Sequence, residues 1–462
     1  MKKQTPFLQP LIWMVVGPPA FRLTSSRTAL SSVEGDQDIW NIIRLVWWLV
    51  WGGIALVSLV QNRQALGPRW SFLGSLPAWT AIWLAALFGS TLLSPSPEYT
   101  LASVTMMLML VFAGMDLALK ISTNQLSIDS LVRSILYVSV GMLTLVGIIY
   151  LTIPEMMGGS GWTYSGHRIR GEGIAYTPMV AQVVIFCGIY LAYTTRGRGR
   201  LLFAVFAMYG LWWVSLAQTR SAYITVLFGL GIMCWHWFDL RKKMVHLVAG
   251  VASIVAIICI ITFAYDTVHG VRWRLDKVYD RYVLRDEFAI EDEEAAAASL
   301  ATLNGRTEAQ SVLLAQAIKK PLGMGYIAGT RTFMASVVDQ LPSDAFHGAH
   351  NAYLEIMSGA GFAAILGFLM LIGAILSRGW RVRDPIAVLC RVALYTILLE
   401  ALVESNLAFP FHQSLVYFWI WSSCLVGLYV RSRIAPMTVV APGMGDNDNV
   451  HDFRRRSMAG GW

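Results

Sequence analysis

Apolar runs of about 20 residues, separated by short polar connections, fill most of the chain. A helix needs about 20 apolar residues to cross the hydrocarbon core of a bilayer, so the pattern predicts an all-α polytopic membrane protein. The composition agrees, because only 14% of residues are charged, against about 25% in soluble proteins. Hydropathy predicts about twelve transmembrane helices, roughly at 8–23, 40–60, 71–93, 99–119, 130–153, 173–193, 201–217, 221–238, 247–265, 351–376, 387–405 and 412–430.

Lysine and arginine favour cytoplasmic loops, which sets the predicted orientation. The most basic connections are 196–200, 241–243 and 378–383. Placing them inside puts both termini in the cytoplasm and, in a bacterium, makes this an inner-membrane protein whose other loops face the periplasm. The predicted domains are N-terminal transmembrane helices at 1–265, a large periplasmic loop containing short helices at 266–350, C-terminal transmembrane helices at 351–432 and a disordered cytoplasmic tail at 433–462.

Several function classes are excluded by charge and motif content. The formal net charge of +8 is interpreted as basic cytoplasmic loops facing anionic lipid, and not as nucleic-acid binding. The five cysteines lie inside apolar runs, without metal-ligand spacing. Phosphate-loop, HExxH and nucleophile-elbow motifs are absent from the sequence. We therefore expect chemistry without a cofactor or bound metal, in which arginines supply the positive charge.

The large periplasmic loop predicts an amphipathic helix from about 306 to 319, lying on the membrane face. Its apolar stripe ends before Pro321 and Gly323, which stop the helix. Arg306 falls in the first turn, where free backbone amides and a partial positive charge favour phosphate. The sequence therefore predicts a phosphate contact at Arg306.

Three further arginines lie in predicted periplasmic turns. Arg220 sits in a tight turn between two apolar runs, where an unpaired charge costs roughly 3 kcal/mol. A diphosphate would be a suitable partner, because its oxygens match the guanidinium fork. Arg168 and Arg170 lie in a glycine-containing loop. They either bind an anion or extend to lipid headgroups.

Two histidines directly precede the span that begins near residue 351. His350 is expected at the outer rim of that helix, with His347 just before it. An imidazole titrates near neutral pH and can take a proton from a sugar hydroxyl; the alternative is an interfacial histidine satisfied by water. Glu404 lies near the outer end of a later span, where it either pairs with an arginine of the site or forms a purely structural ion pair.

Five elements between about 160 and 376 resemble the O-antigen ligase and polysaccharide polymerase superfamily. They are Arg168 and Arg170 with Gly171 and Gly173, then Thr219-Arg220-Ser221, Asn304-Gly305-Arg306, Pro321-Leu322-Gly323-Met324-Gly325, and His350-Asn351 followed by Gly361. The resemblance implies a metal-independent glycosyltransferase. Its donor would be a glycan on undecaprenyl diphosphate and its acceptor a saccharide, either lipid A–core or a growing polysaccharide, at the periplasmic face of the bilayer.

Carried over to this sequence, the resemblance makes Arg220 and Arg306 the diphosphate ligands and His350 the group that activates the acceptor hydroxyl. We expect Arg168, Arg170, His347 and Glu404 to contact the diphosphate or the glycan. The resemblance gives His347 no counterpart, and it does not separate the roles of Arg168 and Arg170.

Ligase and polymerase activities are not separated by the sequence, because acceptor choice lies in loop shape. A different alternative is a polysaccharide or lipid transporter that uses intramembrane charges along a substrate path. Transporters often show paired broken helices in two halves, and the sequence shows no such symmetry. The long polar loop on one side favours a surface-facing enzyme.

Overall fold

The computed structural model describes residues 9–16, 39–152, 176–217, 219–237, 306–337, 350–410 and 412–434. Within them every regular element is a helix, which confirms the predicted all-α class. The α-helices are α1 (Pro10–Val16), α2 (Ile39–Gln61), α3 (Arg63–Leu73), α4 (Leu76–Gly89), α5 (Pro97–Ser122), α6 (Ile128–Thr152), α7 (Thr177–Thr194), α8 (Arg198–Ala217), α9 (Arg220–Trp237), α10 (Arg306–Lys319), α11 (Ala328–Val337), α12 (Ala352–Gly379), α13 (Pro385–Glu400) and α14 (Gln413–Ile434). A 3-10 helix, Ser90–Leu93, continues α4.

Seven helical segments in the described residues are long and apolar enough to cross a membrane. They are Leu76–Leu93, Pro97–Ser122, Ile128–Ile149, Thr177–Thr194, Arg198–Ala217, Ala352–Gly379 and Gln413–Ile434. Shorter apolar stretches occur at Leu45–Gln61 and Ser221–Trp237. The number of spans fits a multi-pass membrane protein. The predicted span at 247–265 lies outside the described residues, so the count of about twelve stays a prediction.

Helix α14 forms the centre of the bundle. Every residue from Gln413 to Val430 is buried, and α14 packs against α5, α12 and α13. Beside it, α7 and α8 approach closely because small residues line their contact. A Cβ atom added at Gly188 would lie 2.9 Å from the backbone of Phe203 and of Ala207. Close backbone approach of this kind is typical of helix pairs in membranes.

The amphipathic helix predicted at about 306 to 319 is confirmed as α10. Ala309, Leu313 and Ala317 of its predicted apolar stripe are buried, and α10 packs against α12. Of the predicted periplasmic loop, only 306–337 and His350 fall within the described residues. The domain limits and the side of the membrane that the loop faces stay predictions.

The bundle has two distinct ends, and Pro321–Gly325 and His350 lie at one of them. At that end, Tyr326 links the connection between α10 and α11 to Ser90 and to Thr100. There Ala352, the first residue of α12, donates its amide to the Ala401 carbonyl at 2.9 Å. At the opposite end, Arg378 near the end of α12 donates to the Leu73 carbonyl at the end of α3. We call these the His350 end and the Arg378 end.

Candidate active site

A break in α12 receives the Pro321–Gly325 segment. Gly361 has φ 85° and ψ 177° inside α12, which interrupts the helix. A regular α-helix would pair the Phe362 amide with the Ser358 carbonyl. Instead, Phe362 donates to the Pro321 carbonyl at 2.9 Å, and the Ser358 carbonyl accepts from Met324 at 3.0 Å. The Pro321–Gly325 segment thus satisfies backbone groups that the break in α12 leaves unpaired.

Glycine is required on both sides of this contact. A Cβ atom at Gly323 (φ +91°) would lie 2.5 Å from the Gly359 carbonyl oxygen, and one at Gly361 would lie 2.6 Å from the Pro321 carbonyl oxygen. Both positions also have positive φ, which glycine adopts without strain. These two glycines therefore allow the backbone of Pro321–Gly325 to pack directly against the backbone of α12.

Tyr326 fixes the end of that segment in the bundle. Its side chain is fully buried, and its hydroxyl donates to the Ala408 carbonyl in the connection between α13 and α14. Its backbone is also fixed. The amide donates to Ser90 Oγ at 3.2 Å, and the carbonyl accepts from the Thr100 hydroxyl at 3.1 Å. Tyr326 thereby joins the 3-10 helix after α4, the start of α5 and the connection between α13 and α14.

His350 is held in a fixed direction just before α12. Its φ of 45° lies in the left-handed region, which histidine tolerates better than most residues with a side chain. The next residue, Asn351, caps α12, since its side-chain oxygen accepts from the amides of Tyr353 and Leu354 at 3.0 and 3.1 Å. An N-cap of this kind fixes where the helix begins, so the backbone holds His350 at this end of the bundle.

Glu404 lies beside this histidine. The distance from His350 Nδ1 to Glu404 Oε2 is 3.6 Å, and the side chains are 32% and 21% exposed. The sequence left open whether Glu404 pairs with an arginine of the site or forms a structural ion pair. In the structure, the imidazole of His350 is its neighbour. A carboxylate at Nδ1 favours the tautomer with the proton on Nδ1, so that Nε2 becomes the proton acceptor.

Two further carboxylates lie close to this pair. Glu355, one turn into α12, accepts from Ser405 at 3.4 Å. Glu400 is completely buried one turn before Glu404, beside Gln182. Tyr176 and Gln182 lie within hydrogen-bonding reach of the Glu400 carboxylate. Burying a carboxylate is costly, and ionisable groups inside a membrane protein are typical of functional positions.

His412 is a second imidazole in the connection between α13 and α14. The Ser414 amide donates to its Nδ1 at 3.3 Å, and its ring packs edge-on against Tyr176 at 4.8 Å. Burial lowers the pKa of His412 to about 4, while nearby Glu404 acts in the opposite direction. His412 is therefore neutral at physiological pH, which suits a hydrogen-bonding role better than a charged one.

Arg331 was not singled out from the sequence. It lies on α11, donates from Nη1 to the Tyr99 hydroxyl at 3.1 Å, and stacks over the ring of Phe409 with 5.0 Å between guanidinium carbon and ring centroid. These contacts join α11 to α5 and to the connection between α13 and α14. Its place between the Pro-Leu-Gly-Met-Gly segment and His350 in the sequence was the available signal.

The backbone of Arg220 lies at the His350 end of the bundle. Arg220 is the first residue of α9, and His236 in the last turn of α9 contacts Trp380, just after α12, at the Arg378 end. Seventeen residue steps of helix, from 220 to 237, span about 25 Å. The start of α9 is therefore at the same end of the bundle as His350.

Arg306 begins α10, as predicted. One turn further, Ala309 joins a buried cluster with Leu313 and Met324, against which Leu354 packs. Leu354 lies one turn after His350. The backbone positions of Arg306 and His350 are thus each about one turn from the same cluster. The side chains of Arg220 and Arg306 lie outside what the structure describes, and so do Arg168, Arg170 and His347.

Metal ligation was not expected from the sequence. In the part of the chain that the structure describes, no group of three or more His, Cys, Asp or Glu residues is arranged to hold a metal ion. This leaves metal independence as a prediction for experiment.

A comparison with protein families matches residues 204–369 to a family described as O-antigen ligase. This segment contains Arg220, Arg306, the Pro321–Gly325 segment, His350 and Gly361. The resemblance seen in the sequence is thereby confirmed. No curated protein matches the chain.

Proposed function

Because residues 204–369 form an O-antigen ligase family domain, we propose that the protein is a membrane glycosyltransferase. It moves a glycan from undecaprenyl diphosphate to a saccharide acceptor, lipid A–core or a growing polysaccharide, at the periplasmic face of the bacterial inner membrane. The observation that carries this proposal is the placement of Glu404 at 3.6 Å from the imidazole of His350. An imidazole beside a carboxylate at the end of an apolar bundle suits activation of a hydroxyl next to a lipid-linked donor.

In the proposed reaction, His350 is the general base. The acceptor hydroxyl oxygen attacks the anomeric carbon, and its proton passes to Nε2 of His350. The bond between the anomeric carbon and the phosphate oxygen breaks, and undecaprenyl diphosphate leaves with the bonding electrons. Glu404 orients the imidazole and stabilises the imidazolium that forms, as the carboxylate does in Ser-His-Asp hydrolases.

The leaving diphosphate requires positive charge in place of a metal ion. Arg220 and Arg306 are proposed to supply it. Each is the first residue of a helix, where backbone amides and the helix dipole also favour phosphate oxygens. Guanidinium groups fixed before the reaction stabilise the charge that develops on the diphosphate. Arg168, Arg170 and His347 are proposed to contact the diphosphate or the glycan.

The proposal is tested with the purified full chain in lipid nanodiscs. The protein is incubated with an undecaprenyl-diphosphate oligosaccharide, with and without EDTA, and the products are separated by size. A ladder of lipid-linked glycans indicates a polymerase, and a single transfer to added lipid A–core indicates a ligase. We expect one of these activities at the same rate in EDTA. Absence of both, or a loss in EDTA that Mg²⁺ restores, would contradict the proposal.

A further inference from the structure

An apolar cavity of about 270 Å³ lies at the Arg378 end of the bundle. Helices α3, α4, α5, α12 and α14 line it. Its contacts on α12 are Leu371 and Ile375, nineteen residue steps or more beyond Ala352. That separation is about 28 Å of helix. The cavity is therefore far from His350, toward the opposite surface of the bundle.

The size and lining of the cavity suit a hydrocarbon chain. Its lining includes no Asp or Glu and only Arg69 as a charged residue. An engineered apolar cavity of about 150 Å³ is large enough to bind benzene, and this one is larger. Two lining residues, Trp70 and Ala81, are exposed, so the cavity reaches the surface of the bundle.

Arg69 places a positive charge at the opening. It lies on α3, a short helix between α2 and α4 that also carries Arg63 and Trp70. Arginine and tryptophan on a short helix that joins two apolar helices are typical of the lipid headgroup region. The Arg69 guanidinium donates from Nη1 to the Ala65 carbonyl. Its Nε is buried and has no hydrogen-bond partner within the described residues.

A second arginine, Arg378, contacts a residue that lines the cavity. Arg378 donates to the carbonyls of Leu73 and Ala374 at 2.6 and 2.7 Å. Leu73 itself lines the cavity, so the guanidinium of Arg378 lies next to the lining. Guanidinium groups form strong hydrogen bonds with phosphate oxygens. The positive charge of Arg69 and the apolar interior together suit a ligand with an anionic head and an acyl chain.

We propose that this cavity binds one anionic phospholipid of the cytoplasmic leaflet. An acyl chain enters the cavity, and the phosphate contacts Arg69. The site is separate from the proposed donor site, because the diphosphate of the donor has to lie at the His350 end. An anionic lipid held at the Arg378 end would fix α3 against α12 and α14.

Two matched pairs of variants test the proposal. Arg69→Gln is compared with Arg63→Gln, since both arginines lie on α3 and only Arg69 lines the cavity. Ala81→Phe is compared with Ala85→Phe, since both alanines are exposed on α4 and only Ala81 lines the cavity. Each full-length protein is delipidated in detergent and titrated with phosphatidylglycerol or phosphatidylethanolamine, and bound lipid is counted by native mass spectrometry.

We expect one tightly bound phosphatidylglycerol in the wild type. Arg69→Gln should weaken that binding by about tenfold, because one charge-assisted hydrogen bond is lost. Ala81→Phe should remove it, while both control variants bind as the wild type does. Equal binding by Arg69→Gln and Arg63→Gln would overturn the proposal. So would equal binding of phosphatidylethanolamine. If Ala81→Phe does not fold, Ala81→Leu and Ala85→Leu replace that pair.

Discussion

The imidazole of His350 and the carboxylate of Glu404 meet at 3.6 Å, although α12 and α13 separate them in the chain. The two helices are joined at this end by the hydrogen bond from the Ala352 amide to the Ala401 carbonyl. The cap at Asn351 and the turn after Glu400 therefore hold the two side chains in one place. This geometry leads to the first prediction.

Replacing Glu404 by Gln should lower glycan transfer by about 10²-fold, within the usual range for general acid–base catalysis. The amide keeps the shape of the side chain but does not stabilise an imidazolium. Glu98→Gln is the matched control, because Glu98 is an exposed carboxylate in the first turn of α5. Initial rates with saturating donor are the measurement.

The effects of His350 and Glu404 should not be additive. His350→Ala should lower transfer by about 10²–10⁴-fold, and adding Glu404→Gln to that variant should change the rate little, since the two groups act as one unit. If the fold loss of rate in the double variant equals the product of the two single fold losses, Glu404 acts independently of the base.

Arg220→Ala and Arg306→Ala should each reduce turnover by about 10²–10³-fold, the usual result of removing one preorganised group that stabilises transition-state charge. Arg220→Lys should restore only part of the rate, because lysine does not reproduce the guanidinium fork. Arg200→Ala, in the first turn of α8, is the control. Folded protein is measured by size-exclusion chromatography, and wild-type turnover in either test variant would remove it from the diphosphate site.

Gly361→Ala should destabilise the protein by about 2 kcal/mol or more, because it adds strain at positive φ and a clash with the Pro321 carbonyl. Gly373→Ala on the same helix is the control, since its Cβ would meet nothing within 4 Å. Alanine there should be neutral or slightly stabilising. Thermal unfolding in detergent measures both, and equal melting temperatures would contradict the packing of Pro321–Gly325 against α12.

The low pKa of His412 predicts an acid-sensitive contribution to stability. Its folded-state value is about 4, below the reference of 6.5, so the unfolded chain binds the proton more readily. Stability should therefore fall as pH drops from about 6.5 to 4. His412→Gln should remove part of this dependence, as measured by unfolding temperatures across that range. An unchanged pH dependence in His412→Gln would show that protonation of His412 does not cause this loss of stability.

Local sequence signals predicted α10 well. Its limits at Arg306 and Lys319 agree with the apolar stripe and with Pro321 after it, because helix ends depend on neighbouring residues. Within the described residues, seven of the predicted spans are helices long and apolar enough to cross a membrane, because a span depends on the length of its own apolar run. The break at Gly361 could not be predicted, since it falls within an apolar run. It is stable only because the Pro321–Gly325 segment supplies hydrogen bonds from a distant part of the chain.

The candidate site was inferred from basic and imidazole groups in turns that the sequence predicts to be periplasmic, where such charges are uncommon. Its assignment stays a prediction. The partner of Glu404 was not predicted, because the choice between His350 and an arginine depends on how α12 and α13 pack. Arg331 was missed for a similar reason: its contacts with Tyr99 and Phe409 join distant segments, and its place between Pro321–Gly325 and His350 was the one local signal.

The hydrogen bonds between Pro321–Gly325 and α12 restrict how the His350 end of the bundle can move. Lifting that segment away would expose the Ser358 carbonyl and the Phe362 amide in a region where water is scarce, at a cost of several kcal/mol for each group. The segment and the first half of α12 therefore have to travel as a single rigid piece, carrying His350 with them. Entry of the proposed lipid-linked donor at this end therefore requires a hinge elsewhere in the chain.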